Sequence, residues 1–318
     1  MSGLGLGLAM FAGMLALMAL RVPIAIAMFI PGAAGYLSIA GEAPFLNLLK
    51  GIAYARLSNY DLSVIPLFLL MGAFATQGGL SRALFAFANA LIGHVRGGMA
   101  MASVFACAAF GTVCGSSVAT CATVTQVALP EMRRHGYSGR LATATMAAGG
   151  TLGILVPPSV VLVVYAIIVE SSVLDMFRAA LLPGLLAVFL FVVTISVLVR
   201  LRPELAPVRE PMAEVDRRRA VRRLVPVAVI FGLLIGGLAL GLFLPTPAAG
   251  VGASAVLVYG LVMHWRTGDG LTWAGLRTAV LETAVTAGMI YFILFGAKLV
   301  GIFFARSNLP QSLAELAV

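Results

Sequence analysis

The sequence predicts an all-α polytopic membrane protein, and three observations lead to that fold class. Of its 318 residues 61% are hydrophobic and only 10% are charged, whereas a soluble domain carries about 25% charged residues. The mean hydropathy is +1.06. The apolar residues also fall into long runs, several of them close to the roughly 20 residues that a helix needs to cross a bilayer.

One apolar stretch, residues 99–130, has a polar break at its centre. The break reads Gly111-Thr-Val-Cys-Gly-Ser-Ser-Val-Ala-Thr120, and each half of the stretch is shorter than the roughly 20 residues of a full crossing. We therefore expect a re-entrant helical hairpin whose tip is unwound near the membrane midplane. Non-helical backbone is tolerated at that depth only where it is buried in protein or lines a cavity, so the tip is a candidate binding site.

Basic residues flank this stretch on both sides, at His94 to Arg96 and at Arg133 to Arg140. Loops rich in arginine and lysine stay on the cytoplasmic side of a membrane. A hairpin enters and leaves on one side, so it keeps both flanks in the cytoplasm, whereas a single crossing would put one of them outside. Counting the spans backward from the hairpin predicts an N-terminus on the outer side.

The charge and cysteine patterns exclude several classes of function. The net charge of +9 fits the same loop bias, and no basic patch is interleaved with aromatic residues, so we expect no nucleic-acid partner. An intramembrane enzyme needs paired aspartates, a serine with a histidine, or a metal cluster in its spans. None is present there, so we expect neither an enzyme nor a bound cofactor. Three cysteines spaced by seven lack the close pairs of metal sites and are expected to pack as apolar residues: Cys107, Cys114 and Cys121.

A second break interrupts the apolar stretch 140–170. It reads Gly149-Gly-Thr-Leu-Gly-Ile-Leu-Val-Pro-Pro-Ser159. The tandem proline Pro157-Pro158 removes two backbone donors and disfavours helix just before it, and the three glycines permit unusual dihedrals. An ordinary proline kink is the alternative, but the combination favours an unwound break.

Two unwound breaks at the same depth would face each other and free backbone carbonyls. Carbonyls and hydroxyls are hard oxygen ligands that suit a small cation, and charged residues inside the spans are too scarce for a proton relay. We therefore expect sodium as the coupling ion. Close packing of small residues between helices is the alternative explanation. The residues expected at the sodium site are Cys114, Gly115, Ser116, Ser117, Thr151, Gly153, Val156 and Pro158.

The same breaks can hold an anionic substrate, because half-helix N-termini carry partial positive charge that attracts a carboxylate. The residues expected on the substrate side are Ser117, Thr120, Thr123, Pro157 and Ser159.

An internal repeat relates two distant parts of the chain at a constant offset of 229 residues. Gly72 falls on Gly301, and Leu80 falls on Leu309. The span count gives the two segments opposite directions, and such inverted repeats are typical of secondary transporters. Chance matching between apolar segments is the alternative. On this alignment the chain stops just before a second hairpin would begin, so the second repeat is expected to be incomplete.

These features divide the chain into four predicted parts. Residues 1–62 form N-terminal spans and an interfacial connector on the scaffold side. Residues 63–200 form the core of the first repeat, with the hairpin at 99–130 and the broken helix at 140–170. Residues 201–223 form a basic cytoplasmic linker, and residues 224–318 begin the second repeat.

Several motifs, taken together and in this order, resemble one transporter family. They are Ile65-Pro-Leu-Phe-Leu-Leu-Met-Gly72, Gly78-Gly-Leu-Ser-Arg82, Gly115-Ser-Ser-Val-Ala119, Leu129-Pro-Glu-Met132, His135-Gly-Tyr137 and Gly150-Thr-Leu-Gly-Ile-Leu-Val-Pro-Pro-Ser159. The chain resembles the large membrane subunit (M, DctM-like) of tripartite ATP-independent periplasmic (TRAP) transporters, and the resemblance covers almost its whole length.

The resemblance implies an elevator-type, sodium-driven importer in the bacterial inner membrane, with a periplasmic N-terminus. It implies two protein partners: a small four-helix membrane subunit (Q, DctQ-like) and a soluble periplasmic substrate-binding protein (P, DctP-like). The implied substrates are organic acids such as C4-dicarboxylates, sialic acid and other sugar or keto acids. The family's first sodium site maps onto Gly115, Ser116, Gly153, Val156 and Pro158.

The sequence departs from the family pattern in two places. The hairpin tip often reads Ser-Gly-Ser in the family and reads Cys114-Gly-Ser116 here. A second hairpin, with its paired broken helix and second sodium site, is not found. Two alternatives therefore stay open beside the importer: a stand-alone sodium/anion symporter of similar hairpin fold, and a truncated membrane scaffold that does not transport.

Overall fold

The computed structural model describes residues 3–208, 214–268 and 270–317. Within these residues the chain forms helices and no strand, which confirms the all-α prediction. The α-helices in chain order are α1 Gly3–Ala19, α2 Ile24–Ala40, α3 Glu42–Leu57, α4 Val64–Gln77, α5 Leu80–Ile92, α6 Gly98–Cys114, α7 Ser117–Arg134, α8 Gly139–Leu155, α9 Val160–Ile168, α10 Val173–Leu201, α11 Glu214–Ala239, α12 Pro245–Thr267, α13 Trp273–Arg306 and α14 Leu309–Ala317.

Several helices in the described part of the chain have the length and composition of membrane spans. Five segments are long and apolar enough to cross a bilayer, and the bent pair α8 and α9 makes a sixth if it counts as one span. The chain is therefore a multi-pass membrane protein, as its composition predicts. The five segments are Tyr60–Gln77, Val173–Leu201, Ala220–Leu238, Pro245–Thr267 and Trp273–Arg306.

The chain divides into two compact units, and residues 1–62 with 284–318 form the first. Its core is aromatic: Tyr36, Phe45 and Phe303 are buried together. Gly35 makes this packing possible, because a Cβ there would lie 2.5 Å from the Phe303 ring. The guanidinium of Arg306 covers the Tyr36 ring at 5.0 Å, which adds a cation–π contact to the apolar core.

Residues 63–283 form the second unit, and α6 is its central helix. Nearly the whole length of α6 is buried, since α4, α5, α7, α8 and α10 all pack against it. Small residues set the close approach of α6, α7 and α8. A Cβ on Gly149 would lie 3.1 Å from Cys107 Sγ, and one on Gly150 would lie 2.6 Å from Cys121 Cβ. The predicted hairpin stretch becomes α6 and α7, and α7 continues to Arg134.

Two turns share a local geometry at the predicted offset of 229 residues. In one turn α4 ends at Gln77 and α5 begins at Leu80, and in the other α13 ends at Arg306 and α14 begins at Leu309. The residue before each second helix has left-handed backbone: Gly79 has φ of 74° and Asn308 has φ of 55°. The helix ends and the left-handed residue thus recur at one constant spacing.

Much of the predicted linker at 201–223 is helical. Helix α10 continues to Leu201, and α11 begins at Glu214 and carries the basic cluster directly into a span. Arg218 forms an ion pair with Glu214, 2.6 Å apart, one turn along α11. Residues 209–213 of the predicted linker lie outside the described residues.

Candidate functional site

The break in the hairpin consists of two residues between α6 and α7. Gly115 takes a left-handed conformation with φ of 58°, and Ser116 is extended with φ of −132°. Ser116 then caps α7, because its Oγ accepts a hydrogen bond from the Ala119 amide at 3.4 Å. A side chain is disfavoured at a left-handed position, and a Cβ on Gly115 would also lie 2.9 Å from the Val160 nitrogen.

The second break lies between α8 and α9, whose axes bend by 44°. Val156 and Ser159 are extended, and the Pro157–Pro158 peptide bond is cis. Proline has no amide hydrogen, so the α-helical donors that would serve the carbonyls of Gly153 and Ile154, four residues earlier, are missing. The tandem proline therefore frees two carbonyl oxygens at the end of α8.

The two breaks contact each other directly. A Cβ on Gly153 would lie 2.5 Å from Thr120 Oγ1 and 2.8 Å from the Ser116 carbonyl oxygen. Gly115 also lies close to Ser159, since a Cβ on Gly115 would lie 3.3 Å from the Ser159 Cα. Glycine at both positions is what lets α7 and the tip lie against the end of α8.

Hydroxyl, thiol and carbonyl groups face one another at this contact. Cys114 Sγ and Thr120 Oγ1 lie 2.9 Å apart, and Cys114 Sγ is 3.5 Å from the Ser116 carbonyl oxygen. Thr120 is fully buried. Ser159 is 1% exposed, and its Oγ has no hydrogen-bond partner among the described residues. An unsatisfied buried hydroxyl costs about 1–3 kcal/mol, so this polar atom is held in the core at the expense of stability.

Thr151, Pro157 and Pro158, which were also predicted for the site, face elsewhere. Thr151 is exposed, and its hydroxyl donates to the Ala148 carbonyl of the same helix at 2.7 Å. Pro157 and Pro158 are buried, and they line a small crevice against α10 and α11. Val156 is buried, and Ser117 is half-buried at the start of α7. The structure thus brings together Cys114, Gly115, Ser116, Thr120, Gly153 and Ser159.

A polar cavity of about 580 Å³ opens farther along α7, and sequence reasoning missed it. Thr123, predicted on the substrate side, lines this cavity. Two polar residues of α7, Thr123 and Gln126, stand three positions apart in the sequence and both line it. That pair was the available signal. The lining residues are Thr76, Gln77, Gly79, Ser81, Arg82, Thr123, Gln126, Val127, Gly270 and Glu282.

Comparison with known families decides the classification. The family model of the tripartite ATP-independent periplasmic transporter, DctM component, matches residues 11–318. The chain belongs to this DctM family. The resemblance expected from the motifs is thereby confirmed.

Several curated relatives of this DctM-family chain are named as transporter permeases. The C4-dicarboxylate TRAP transporter large permease protein DctM of Pseudomonas aeruginosa is 38% identical over 81% of the chain, and that of Rhodobacter capsulatus is 33% identical over 86%. The sialic acid TRAP transporter large permease protein SiaM of Vibrio cholerae is 30% identical over 81% of the chain. The chain spans 59%, 63% and 59% of the lengths of these three relatives.

The DctM-family chain carries a thiol at the tip, on Cys114. Cys114 uses that thiol in the contact with Thr120, so the group next to the tip is sulfur, a weak hydrogen-bond partner and a soft ligand. The hard oxygen atoms at the site come from the Ser116 and Gly153 carbonyls and from the hydroxyls of Thr120 and Ser159. Among the described residues no group of three His, Cys, Asp or Glu side chains could hold a metal ion.

Proposed function

We propose that the protein is the permease component of a sodium-coupled secondary importer of small organic acids. The meeting of the two helix breaks carries this proposal, together with the buried Ser159 hydroxyl, which has no hydrogen-bond partner among the described residues. The breaks supply oxygen ligands without a carboxylate, which suits a monovalent hard cation. Neutral oxygen ligands also hold a cation less strongly than carboxylates do, so the ion can dissociate in each transport cycle.

The ligands proposed for Na⁺ lie on both breaks. The Ser116 carbonyl contributes from the hairpin, and the Gly153 carbonyl, without a helical donor, contributes from α8. The Ser159 hydroxyl contributes from the start of α9. A cation held by both breaks would fix the hairpin against the broken helix, and its departure would release them.

An organic-acid substrate fits the other side of the tip. Helix α7 begins at Ser117, and the amide groups at a helix N-terminus attract a carboxylate. The polar residues of α7 then lead to the 580 Å³ cavity that Thr123 and Gln126 line. The names of the relatives assign C4-dicarboxylates and sialic acid, both organic acids, to proteins of this family.

Membership of the family supports a proposal for the partners, the location and the transport movement of the protein. The name of the family specifies three components, so we propose a small membrane subunit and a periplasmic binding protein as partners. We place the protein in the bacterial inner membrane with its N-terminus in the periplasm. Transport would proceed by an elevator movement of the unit that holds the hairpin.

Uptake into proteoliposomes tests the proposal. The protein is reconstituted with its two proposed partners, and uptake of radiolabelled succinate and sialic acid is measured with and without an inward Na⁺ gradient. We expect Na⁺-dependent uptake that Ser159→Ala reduces at least tenfold at low Na⁺. Thr194→Ala is the matched control, because Thr194 Oγ1 donates to the Leu190 carbonyl on the exposed side of α10. Uptake that ignores the Na⁺ gradient would overturn the sodium coupling, and uptake without the binding protein would indicate a stand-alone symporter.

A further inference from the structure

A long apolar groove runs between α5, α6 and α11. Its volume is about 460 Å³, and its walls are apolar side chains. Thr112 carries the one hydroxyl among the described lining residues, and this hydroxyl donates to the Ala109 carbonyl at 2.8 Å. The groove therefore offers no free polar group to a solute. The residues that define it are Leu84, Leu91, Phe105, Leu224, Phe231 and Ile235.

The length of the groove matches one leaflet of a bilayer. On α11 it extends from Leu224 to Ile235, which is about 16 Å of helix at 1.5 Å per residue. The hydrocarbon core of a bilayer is about 30 Å thick, so the groove follows the depth of about one acyl chain. It also belongs to a helix that spans the membrane from Ala220 to Leu238.

A basic cavity adjoins the groove at the start of that span. Arg82 of α5 and Arg223 of α11 line it, together with Tyr259 of α12. Consecutive residues connect the two spaces, because Arg223 lines the cavity and Leu224 lines the groove. In the described part of the chain neither guanidinium has a carboxylate within ion-pair distance, and no acidic side chain lines this cavity.

We propose that the groove and the cavity together bind one phospholipid with an anionic headgroup. The acyl chain lies in the groove between α5, α6 and α11, and the headgroup phosphate lies between Arg82 and Arg223. Arginine at membrane depth next to the interface pairs well with phosphate oxygens, since its planar guanidinium donates two parallel hydrogen bonds. A phosphate held there offsets two unpaired positive charges. The acyl chain fills a groove that no described side chain fills.

Lipid retained on the purified protein tests this site. The protein is extracted from its own membrane in a mild detergent, and the bound phospholipid is identified and counted by native mass spectrometry. We expect about one retained phospholipid per chain, enriched in anionic species such as phosphatidylglycerol. Arg223→Gln should abolish the enrichment in anionic species, and Ala228→Phe, which places a ring in the groove, should remove the retained lipid.

Matched variants on the same helix serve as controls. Arg222→Gln removes an equal charge next to Arg223 from a residue that does not line the cavity, and Val229→Phe adds a ring beside Ala228 on an exposed position outside the groove. Both controls should retain lipid like the unmodified protein. Equal loss in Arg222→Gln and Arg223→Gln would overturn the headgroup site. Absence of retained lipid, or retention by Ala228→Phe, would overturn the acyl-chain site and indicate that polypeptide covers the groove.

Discussion

Thr120 occupies the space that a side chain on residue 153 would need. Its Oγ1 lies 2.5 Å from the position of a Cβ on Gly153, and the Ser116 carbonyl oxygen lies 2.8 Å from the same position. Both atoms belong to the hairpin, whereas Gly153 belongs to α8. Because residue 153 is glycine and has no Cβ, the hairpin and α8 can approach each other this closely.

We predict that Gly153→Ala separates the breaks and abolishes sodium-dependent behaviour. Overpacking of this kind costs about 1–3 kcal/mol, and the displaced Ser116 carbonyl would no longer share a cation with α8. Na⁺-dependent uptake should fall at least tenfold, and Na⁺ should no longer raise the melting temperature of the purified protein. Gly232→Ala is the control, because nothing lies within 4 Å of its Cβ. Normal Na⁺ dependence in Gly153→Ala would contradict the proposed contact.

The thiol at the tip supports a second prediction. Cys114 Sγ lies 2.9 Å from Thr120 Oγ1, so Cys114→Ala removes a hydrogen bond and should lower the free energy of unfolding by about 1 kcal/mol. Cys114→Ser keeps a group that can bond to Thr120 and should retain both stability and Na⁺-dependent uptake. Thermal unfolding and uptake of the two variants check this. If Cys114→Ser lowered the free energy of unfolding as much as Cys114→Ala, the hydrogen bond to Thr120 would not be the interaction that stabilises the tip.

Gly115 is predicted to tolerate no side chain. Its φ of 58° is left-handed, which costs a residue with a Cβ roughly 1–2 kcal/mol, and the new Cβ would also lie 2.9 Å from the Val160 nitrogen. Gly115→Ala should therefore lower both the melting temperature and the Na⁺ affinity. Gly139→Ala, at the start of α8 with nothing within 4 Å, should leave both unchanged. A wild-type Na⁺ affinity in Gly115→Ala would show that the tip can rearrange without loss.

The paired turns at Gly79 and Asn308 give a fourth prediction. Both residues have left-handed backbone, a conformation that glycine and asparagine adopt more readily than alanine. Gly79→Ala and Asn308→Ala should each reduce the free energy of unfolding by about 1 kcal/mol, and Asn308→Gly should be tolerated. Thermal unfolding measures the three changes, with Gly301→Ala as a helical control in open space. Equal stability of the alanine and glycine variants at 308 would argue against a shared turn geometry.

The sequence predicted the fold class and the family because both depend on local or collective patterns. Composition alone indicates a membrane protein. The two Gly/Ser- and Pro-rich breaks are local signals, since glycine at 115 and proline at 157 act on their own backbone. The helix ends at Cys114 and Leu155 follow directly from those residues.

The remaining features depend on helix rotation and on contacts between distant segments. Thr151 is two residues from Gly149 and Gly153, yet the 100° turn per residue points it away from the hairpin and into an exposed position. The polar cavity collects residues from α4, α5, α7 and α13, so the polar residues of α7 indicate only one of its walls. Spacing along one helix cannot tell which neighbour a side chain faces.

The burial of α6 also constrains how the protein is made. A ribosome synthesises this helix before α8 and α10, the helices that cover it. At 17 residues it is shorter than the roughly 20 residues of a stable crossing, and outside the apolar groove, which Phe105 lines, little of its surface is left to face lipid. We therefore expect α6 and α7 to reach their final place in the membrane only after the chain has been extended to α10.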